Sequence, residues 1–335
     1  MRAKAIGLLS GGLDSNLAVK LMLDQEIEVV GLNFITPFSV SIEEAIRAAS
    51  KFGIELKVIT FGEEYMEMIK NPRYGYGKNM NPCIDCRILQ FKRAREYMDK
   101  TGASFVFTGE VLGERPMSQR RDAINIIEKA SGLKGLILRP LSAKLLPPTI
   151  PEKEGLIDRE RLLAIFGRKR DQQIALAGHF GISFPSPAGG CRLTDPNFAV
   201  RLKEAFDHDE DGTVDMHLLR YGRHFRLNTG AKVIVGRNES ENEQISNLAQ
   251  EGDRLLEVIE FGSPVTLLKG AKDEKDISVA ASICARYSDC DREEMVKVSV
   301  EGISPICVKP MDDGQLSEFR IGSHGRSGSR KIDER

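Results

Sequence analysis

Three groups of residues stand out by type and spacing. The first is Ser10-Gly11-Gly12-Leu13-Asp14-Ser15. Adjacent glycines let backbone approach a ligand closely, and the serines bring hydroxyl donors. Residues 5–9 are apolar, and Leu17, Ala18, Leu21 and Met22 follow with helical spacing. The hexapeptide is therefore a strand-to-helix turn, and the free N–H groups and dipole of the helix start favour an anion. It lacks the Gly-Lys-Ser/Thr ending of the common phosphate loop. The second group is Cys83, Cys86 and Cys191. A Cys-x-x-Cys pair at a helix start should have lowered thiol pKa values, and Cys191 closes a Gly/Pro-rich turn over residues 185–191. Three thiolates suit a soft metal or a four-iron cluster with one iron open. A redox pair, a zinc site completed by a histidine, persulfide chemistry or unrelated core cysteines are the alternatives. Cys284, Cys290 and Cys307 read as small core hydrophobes. The third group is Arg223, His224, Arg226, Lys232 and Arg237, interleaved with Tyr221 and Phe225. Guanidiniums and aromatic planes can stack on unpaired bases, and cations can meet phosphates; a strand with a solvated charged face is the plainer alternative.

The elements that must position these groups follow from periodicity. Residues 1–60 alternate strand and helix, with strands near 27–34 and 56–59 and an amphipathic helix at 42–52. This order implies a parallel sheet with helices on both faces, whose ligands bind beyond the carboxyl ends of the strands. A Gly/Pro/Asn-rich loop at 71–82 precedes a helix at 88–100. Strands are expected at 104–107 and 135–138 and a helix at 162–180. Beyond residue 200 come a polar helix and short strands near 232–235, 255–259, 265–268 and 296–300. Residues 207–215 imitate a calcium loop, but its twelfth position is Leu218, which cannot supply the bidentate ligand. The reading is α/β, with domains at 1–197 and 198–321 and a disordered Gly/Ser/Arg-rich tail at 322–335.

With 335 residues and a formal net charge of −1, the chain has no global basic footprint, so nucleic-acid binding would rest on local patches. No apolar run reaches membrane-spanning length and no signal peptide is evident, which points to a cytoplasmic protein. Six cysteines are too few for a disulfide scaffold in a chain this long.

The loop Ser10-Gly11-Gly12-Leu13-Asp14-Ser15 resembles the pyrophosphate-binding loop of the N-type ATP pyrophosphatases. Further on, Cys83-x-x-Cys86-Arg87, Thr108-Gly109-Glu110, Leu112-Gly113, Ser118-Gln119 and Arg139-Pro140-Leu141 occur in the order of the tRNA 4-thiouridine synthetase group. The stretch at 107–119 departs from that group at Glu114, where the family has Gln. The resemblance covers residues 4–195. The segment Val235-Gly236-Arg237-Asn238 resembles the signature of the RNA-binding R domain of NFACT-type proteins. Together these imply an adenine nucleotide α-hydrolase-like (PP-loop) domain followed by a smaller α+β RNA-binding domain.

The implied activity is uridine thiolation in a tRNA or other RNA, by adenylation of a base carbonyl and transfer of sulfur through a [4Fe-4S] cluster or a persulfide. On that resemblance Ser10, Gly11, Gly12, Asp14, Ser15, Asn33, Gly109 and Glu110 would contact ATP, and Asp14 would place Mg2+. Cys83, Cys86 and Cys191 would be catalytic or cluster-ligating, and Arg223, His224, Arg226, Lys232, Arg237 and Asn238 would hold RNA. A sulfur donor such as a cysteine desulfurase is the implied partner, with no membrane and no stated oligomeric state. The rival readings are a PP-loop enzyme that amidates or adenylates a small molecule, and a non-catalytic RNA-binding translation factor.

Overall fold

The short apolar runs of the first half assemble around the strand that precedes the Gly-Gly loop. The computed structural model describes residues 3–38, 42–185 and 191–322. The 185–191 turn, apart from its two ends, and the tail from residue 323 on lie outside them. The chain divides into two compact units between Thr194 and Asp195.

In the first unit β1 (Lys4–Leu8), α1 (Leu13–Leu23), β2 (Glu28–Ile35), α2 (Glu43–Phe52) and β3 (Glu55–Thr60) follow the expected alternation. Then come α3 (Glu63–Lys70), α4 (Cys83–Thr101), β4 (Phe105–Thr108), α5 (Arg121–Ser131), β5 (Ile137–Leu138), α6 (Ile150–Lys153) and α7 (Asp171–His179). The sheet order is β3-β2-β1-β4-β5, with every pairing parallel. The chain runs outward from β1 on one side and returns to its other side at β4. The carboxyl ends of β1 and β4 therefore flank the topological switch point, where Leu8 pairs with Thr108. Alternation along β1 sends Ala5 to a core shared with α1, α2 and α7, and Ile6 and Leu8 to one shared with α4 and α5.

Two elements differ from expectation. Helix α4 begins at Cys83 and not at residue 88, so both cysteines of the pair lie in its first turn or just beyond. Asp85 anchors that start by accepting the Arg73 and Tyr74 N–H groups at 3.1 and 3.0 Å, which draws the 71–82 loop onto the helix. Residues 162–170 are not helical. The Leu163 N–H donates to the Pro140 carbonyl (2.9 Å) and Ile165 to that of Leu141 (2.8 Å), and Phe166 forms a bridge with Leu112. Extended pairing wins there because it satisfies buried backbone that a helix would leave unmatched.

The second unit contains α8 (Pro196–Asp207), α9 (Thr213–Leu218), β6 (Arg223–Arg226), β7 (Lys232–Val235), α10 (Glu239–Asn247), β8 (Arg254–Val258), β9 (Thr266–Lys269), α11 (Glu274–Arg286), β10 (Val296–Val300), β11 (Ile303–Val308) and α12 (Asp313–Phe319). The boundary expected after residue 197 falls after 194. The Asp195 carboxylate caps α8 by accepting the Phe198 N–H at 2.7 Å, with Pro196 in the first turn, so residues 195–197 belong to that helix. The antiparallel sheet runs β11-β10-β8-β9-β7-β6. Ala280, Ala281 and Cys284 of α11 pack on one face, and Leu218 and Ile245 on the other. Cys284 and Cys290 are buried there as expected, whereas Cys307 is exposed on the edge strand β11. Among the described residues no helix is long and apolar enough to cross a membrane.

Candidate functional site

The Gly-Gly loop is built by close backbone approach. Gly11 has φ +77°, and a Cβ there would sit 2.2 Å from the Glu44 carbonyl carbon. Asn33 on β2 donates Nδ2–H to the Leu9 carbonyl at 2.8 Å and so fixes the loop entry. Asn16 ties the Gly11 carbonyl at 3.1 Å, and the Ser15 hydroxyl donates to the Gly12 carbonyl at 2.9 Å while lying 3.2 Å from the exposed Ser10 hydroxyl. From the neighbouring strand end Gly109 presses on the same loop: a Cβ there would be 2.4 Å from the Asp14 carbonyl carbon. Asp14 Oδ1 is buried without a hydrogen-bond partner. Burial pushes the Asp14 carboxyl above its ordinary value, against the pull of Arg170 and Arg115. The fully buried Gln173 amide of α7 adjoins Asp14.

Around the segment after β4 the sequence singles out Gln119 and Glu114 but gives no sign of Arg115 or Phe166. Gln119 is buried and folds the turn, its Oε1 accepting the Arg115 N–H at 2.9 Å and its carbonyl the Gly113 N–H at 2.8 Å. Glu114 is half-buried; burial and the negative charge of Asp14 raise its pKa. Phe166 lies over Gly113 and is 67% exposed. Glu110 corrects an expectation. It is 2% exposed, with Oε2 3.0 Å from Arg139 Nε and Oε1 3.0 Å from Arg87 Nε. A carboxylate clasped by two guanidiniums ties β4 to α4 and is not available to a nucleotide. Arg87 is thereby an ion-pair partner and not a phosphate contact.

The three cysteines converge electrostatically. The charge of Cys191 raises the cost of ionising Cys83 and Cys86, and Arg115 opposes ionisation costs at Cys83 and Cys191. The turn carrying Cys191 is closed by the Thr194 hydroxyl and N–H on the Cys191 carbonyl (2.6 and 2.9 Å). Asn79 reaches the Thr194 carbonyl at 2.7 Å, so the turn is fastened to the loop that leads into α4. Cys83 donates to Asn81 Oδ1 at 3.0 Å, and Tyr65 lies 3.8 Å from the Cys86 sulfur. The expected low thiol pKa values are not found. Burial pushes all three up, Cys86 to about 11, because desolvation outweighs the helix start. Among the described residues no three His, Cys, Asp or Glu side chains close around one point as a single metal ion requires.

The charge of Arg115 thus favours the ionised form of Asp14 and of two of the thiols. Arg115→Gln should move alkylation of Cys83 and Cys191 in the metal-free protein to higher pH, since a charge that favours their thiolates is removed. Iodoacetamide labelling against pH, read by peptide mass spectrometry, checks this; an unchanged profile would remove Arg115 from the thiol environment.

In the second unit most of the expected RNA contacts are used internally. Lys232 is 2% exposed, with Glu210 2.5 Å and Glu204 3.8 Å from its Nζ. Arg226 meets the same two carboxylates at 2.5 and 2.6 Å. His224 is buried with Nε2 2.8 Å from the Tyr221 carbonyl, and burial holds its pKa well below the ordinary 6.5. Lys232 and His224 are thus shut off from a phosphate, and Arg226 is committed to two carboxylates. Asn238 caps α10 by accepting the Glu241 N–H at 3.0 Å, and Arg237 pairs with Glu241. The Val-Gly-Arg-Asn segment is therefore a helix start. Of the expected cations Arg237 is exposed and Arg223 half-buried, while Arg226 keeps 12% of its side-chain surface.

Burial opposes ionisation of Glu210, but hydrogen bonds from Arg226 and the charge of Lys232 more than offset it, leaving its pKa below 4.5. Its contribution to stability is present above pH 4.5 and is lost as pH falls through the lowered value. The His224 contribution is likewise complete above pH 6.5 and declines below it. Glu210→Gln should cost ~3 kcal/mol by leaving a buried cation short of its partner. Hydrogen exchange at the Val233 and Val235 amides should therefore accelerate in the variant and, in the wild type, as pH is lowered after correction for intrinsic rates.

The loop lies at the switch point of a parallel sheet, where open α/β sheets bind their ligands. Residues 1–144 match the family described as thiamine biosynthesis protein (ThiI), and residues 222–320 match the NFACT protein RNA binding domain. The chain joins a ThiI-type PP-loop domain to an NFACT-type RNA-binding domain. It is 32% identical over 123 residues to the tRNA-specific 2-thiouridylase MnmA of Methylobacillus flagellatus, covering 32% of this chain and 34% of that protein. To a probable tRNA sulfurtransferase of Thermococcus kodakarensis it is 26% identical over 178 residues, 49% of this chain and 42% of that one. The chain spans about a third to a half of the length of the curated relatives it matches. A crystal structure of a 4-thiouridine synthetase–RNA complex with bound ATP is similar at 25% identity and TM-score 0.32, over 38% of this chain and 34% of that one. The U34-tRNA thiolase NcsA of Methanococcus maripaludis with its [4Fe-4S] cluster is similar at 14% identity and TM-score 0.32, over 65% and 71% of the two chains.

Proposed function

We propose that the protein thiolates a uridine of an RNA, tRNA being the first candidate, at the expense of ATP. The observation that best supports this reading is the buried, unpartnered Asp14 Oδ1 in the Gly-Gly loop of a domain that matches the ThiI family; the charge of Arg115, which favours ionisation of Asp14, Cys83 and Cys191, agrees with it. In this reading phosphate activation and sulfur delivery share one neighbourhood.

In this reading the pyrophosphate end of ATP lies on residues 10–15, against the backbone N–H groups at the start of α1. The unpaired, buried Asp14 Oδ1 suits a ligand of Mg2+, whose charge would draw the raised carboxyl back to its ionised form. A uridine carbonyl oxygen attacks the α-phosphorus; the P–O bond to pyrophosphate breaks, and an O-adenylated base results. Sulfide-level sulfur then adds to the base carbon, the C–O bond breaks, and AMP departs. No net oxidation occurs when sulfide is the donor. Arg115 is placed to offset negative charge on the phosphate side and to favour ionised thiols on the sulfur side. Cys83, Cys86 and Cys191 would hold a [4Fe-4S] cluster, which supplies an open iron for sulfide. A persulfide route through the same cysteines would instead end in a disulfide and consume a thiol reductant.

Purified protein, ATP, Mg2+, sulfide and tRNA from a thiolation-deficient strain provide the test. Mass spectrometry of the digested nucleosides should find a new thiouridine together with AMP. Pyrophosphate exchange without any thionucleoside would favour an amidating or adenylating enzyme. Absence of exchange would favour a non-catalytic RNA-binding protein.

A further inference from the structure

Charge matching differs sharply between two neighbouring parts of the second unit. Arg226 and Lys232 face Glu204 and Glu210, two cations against two carboxylates. Beside them Arg223 feels the charges of Arg320 and Arg237 and of a single carboxylate, Glu241, which Arg237 already engages; Arg286, also near Tyr287, is paired with Asp313. Glu241 also accepts the Gly222 and Arg237 N–H groups at 3.0 and 3.1 Å. Among the described residues Arg223 and Arg320 form no ion pair.

The arrangement is held rigidly. The Arg223 guanidinium lies 4.5 Å above the Tyr287 ring, and its Nη1 donates to the Gly236 carbonyl at 3.3 Å. Arg320 donates from Nη2 to the Tyr287 hydroxyl and lies 5.3 Å over the fully buried Phe225 ring, with its Nε buried and unpaired. Residue 320 bridges Phe225, and the Ile321 N–H donates to the His224 carbonyl at 2.9 Å, so this segment extends the sheet edge at β6. Burial lowers the Arg223 pKa; Tyr287 opposes this, while Arg320 and Arg237 lower it further. Guanidiniums gathered against their mutual repulsion, on an aromatic bed, are preorganised for an anion.

We infer that Arg223 and Arg320, gathered about Tyr287 at the β6 edge, form with the neighbouring Arg237 a subsite for the phosphate backbone of single-stranded RNA. The inference rests on the RNA-binding reading of this unit and deepens it. Tyr287 is already covered by Arg223, so its ring does not take a base. Contacts here are with phosphates, and they position RNA without reading sequence.

The test uses the full chain and fluorescence anisotropy with labelled oligouridylate, oligoadenylate and tRNA across a KCl series. Arg223→Gln and Arg320→Gln should each weaken both homopolymers by a similar factor. Each should also reduce the log–log salt slope by about 0.7 for every phosphate no longer neutralised. Arg223→Lys keeps the charge and should keep most of the slope. Because repulsion is relieved, the glutamine variants should melt at the wild-type temperature or higher. Unchanged affinity and slope in both variants would overturn the subsite, as would weakening confined to one homopolymer, which signals base recognition. Lower melting with unchanged slope would make the stack structural. A wild-type protein that binds none of the three probes would overturn the RNA-binding reading itself.

Discussion

Cys191→Ala should abolish thiouridine formation while leaving RNA-dependent ATP–pyrophosphate exchange in place. Cys191 lies in the turn that Asn79 and Thr194 fasten to the approach of α4, away from the phosphate loop's own hydrogen bonds. On the proposed reading the substitution removes one of three cluster ligands or the sulfur carrier, and neither change should disturb adenylation. The two sulfur routes then separate by spectroscopy. With a cluster, anaerobically reconstituted wild type shows broad iron–sulfur absorbance and the variant loses it. With a persulfide, neither protein shows it. The raised thiol pKa values favour the first route. Deprotonating Cys86 at pH 7 against a pKa of about 11 costs roughly 5 kcal/mol. Bound metal removes that cost by stabilising the thiolate directly. Thiouridine formation at the wild-type rate in Cys191→Ala would remove this residue from the sulfur path altogether.

The legible parts of this site were those written in consecutive residues. The Gly-Gly-x-Asp-Ser loop could be read because its apolar strand, two glycines and helical repeat are adjacent in the chain, and the structure has β1, loop and α1 in that order. The two cysteines at 83 and 86 were visible for the same reason. What stayed hidden depends on partners far away in sequence. Arg226 and Lys232 look like a solvated basic face until Glu204 and Glu210 arrive from α8 and the turn after it. Glu110 looks like a ligand contact until Arg87 and Arg139 converge on it. Strand β11 escaped notice because Pro305 argues against a strand, yet an edge strand tolerates it. Charge counting at the sheet edge also needs Arg320, nearly a hundred residues from Arg223, and no local pattern joins them.

Gly109→Val should cut ATP–pyrophosphate exchange by ~10²-fold or more, on the rule that misplacing a reacting group by about 1 Å has that cost. The atoms a Cβ would meet are the carbonyl carbon and oxygen of Asp14 and the N of Ser15, at 2.4–2.5 Å. These are backbone atoms of the phosphate loop, so no rotamer change can relieve the clash. The loop entry is also held by Asn33 and its turn by Asn16, which leaves displacement of residues 13–15 as the accessible relaxation. Overpacking of this kind costs about 1–3 kcal/mol of stability, so melting temperature must be measured alongside exchange. Gly178→Ala is the matched control: it lies within α7, where a Cβ meets nothing within 4 Å, and should retain both activity and fold. Because Gly109 follows β4 and presses on the Asp14 backbone at the start of α1, the valine acts on the loop and not on the cysteine turn. The variant should therefore keep cluster absorbance while losing exchange, the reverse of Cys191→Ala. Folded Gly109→Val protein with full exchange would mean that the pyrophosphate does not lie on residues 10–15.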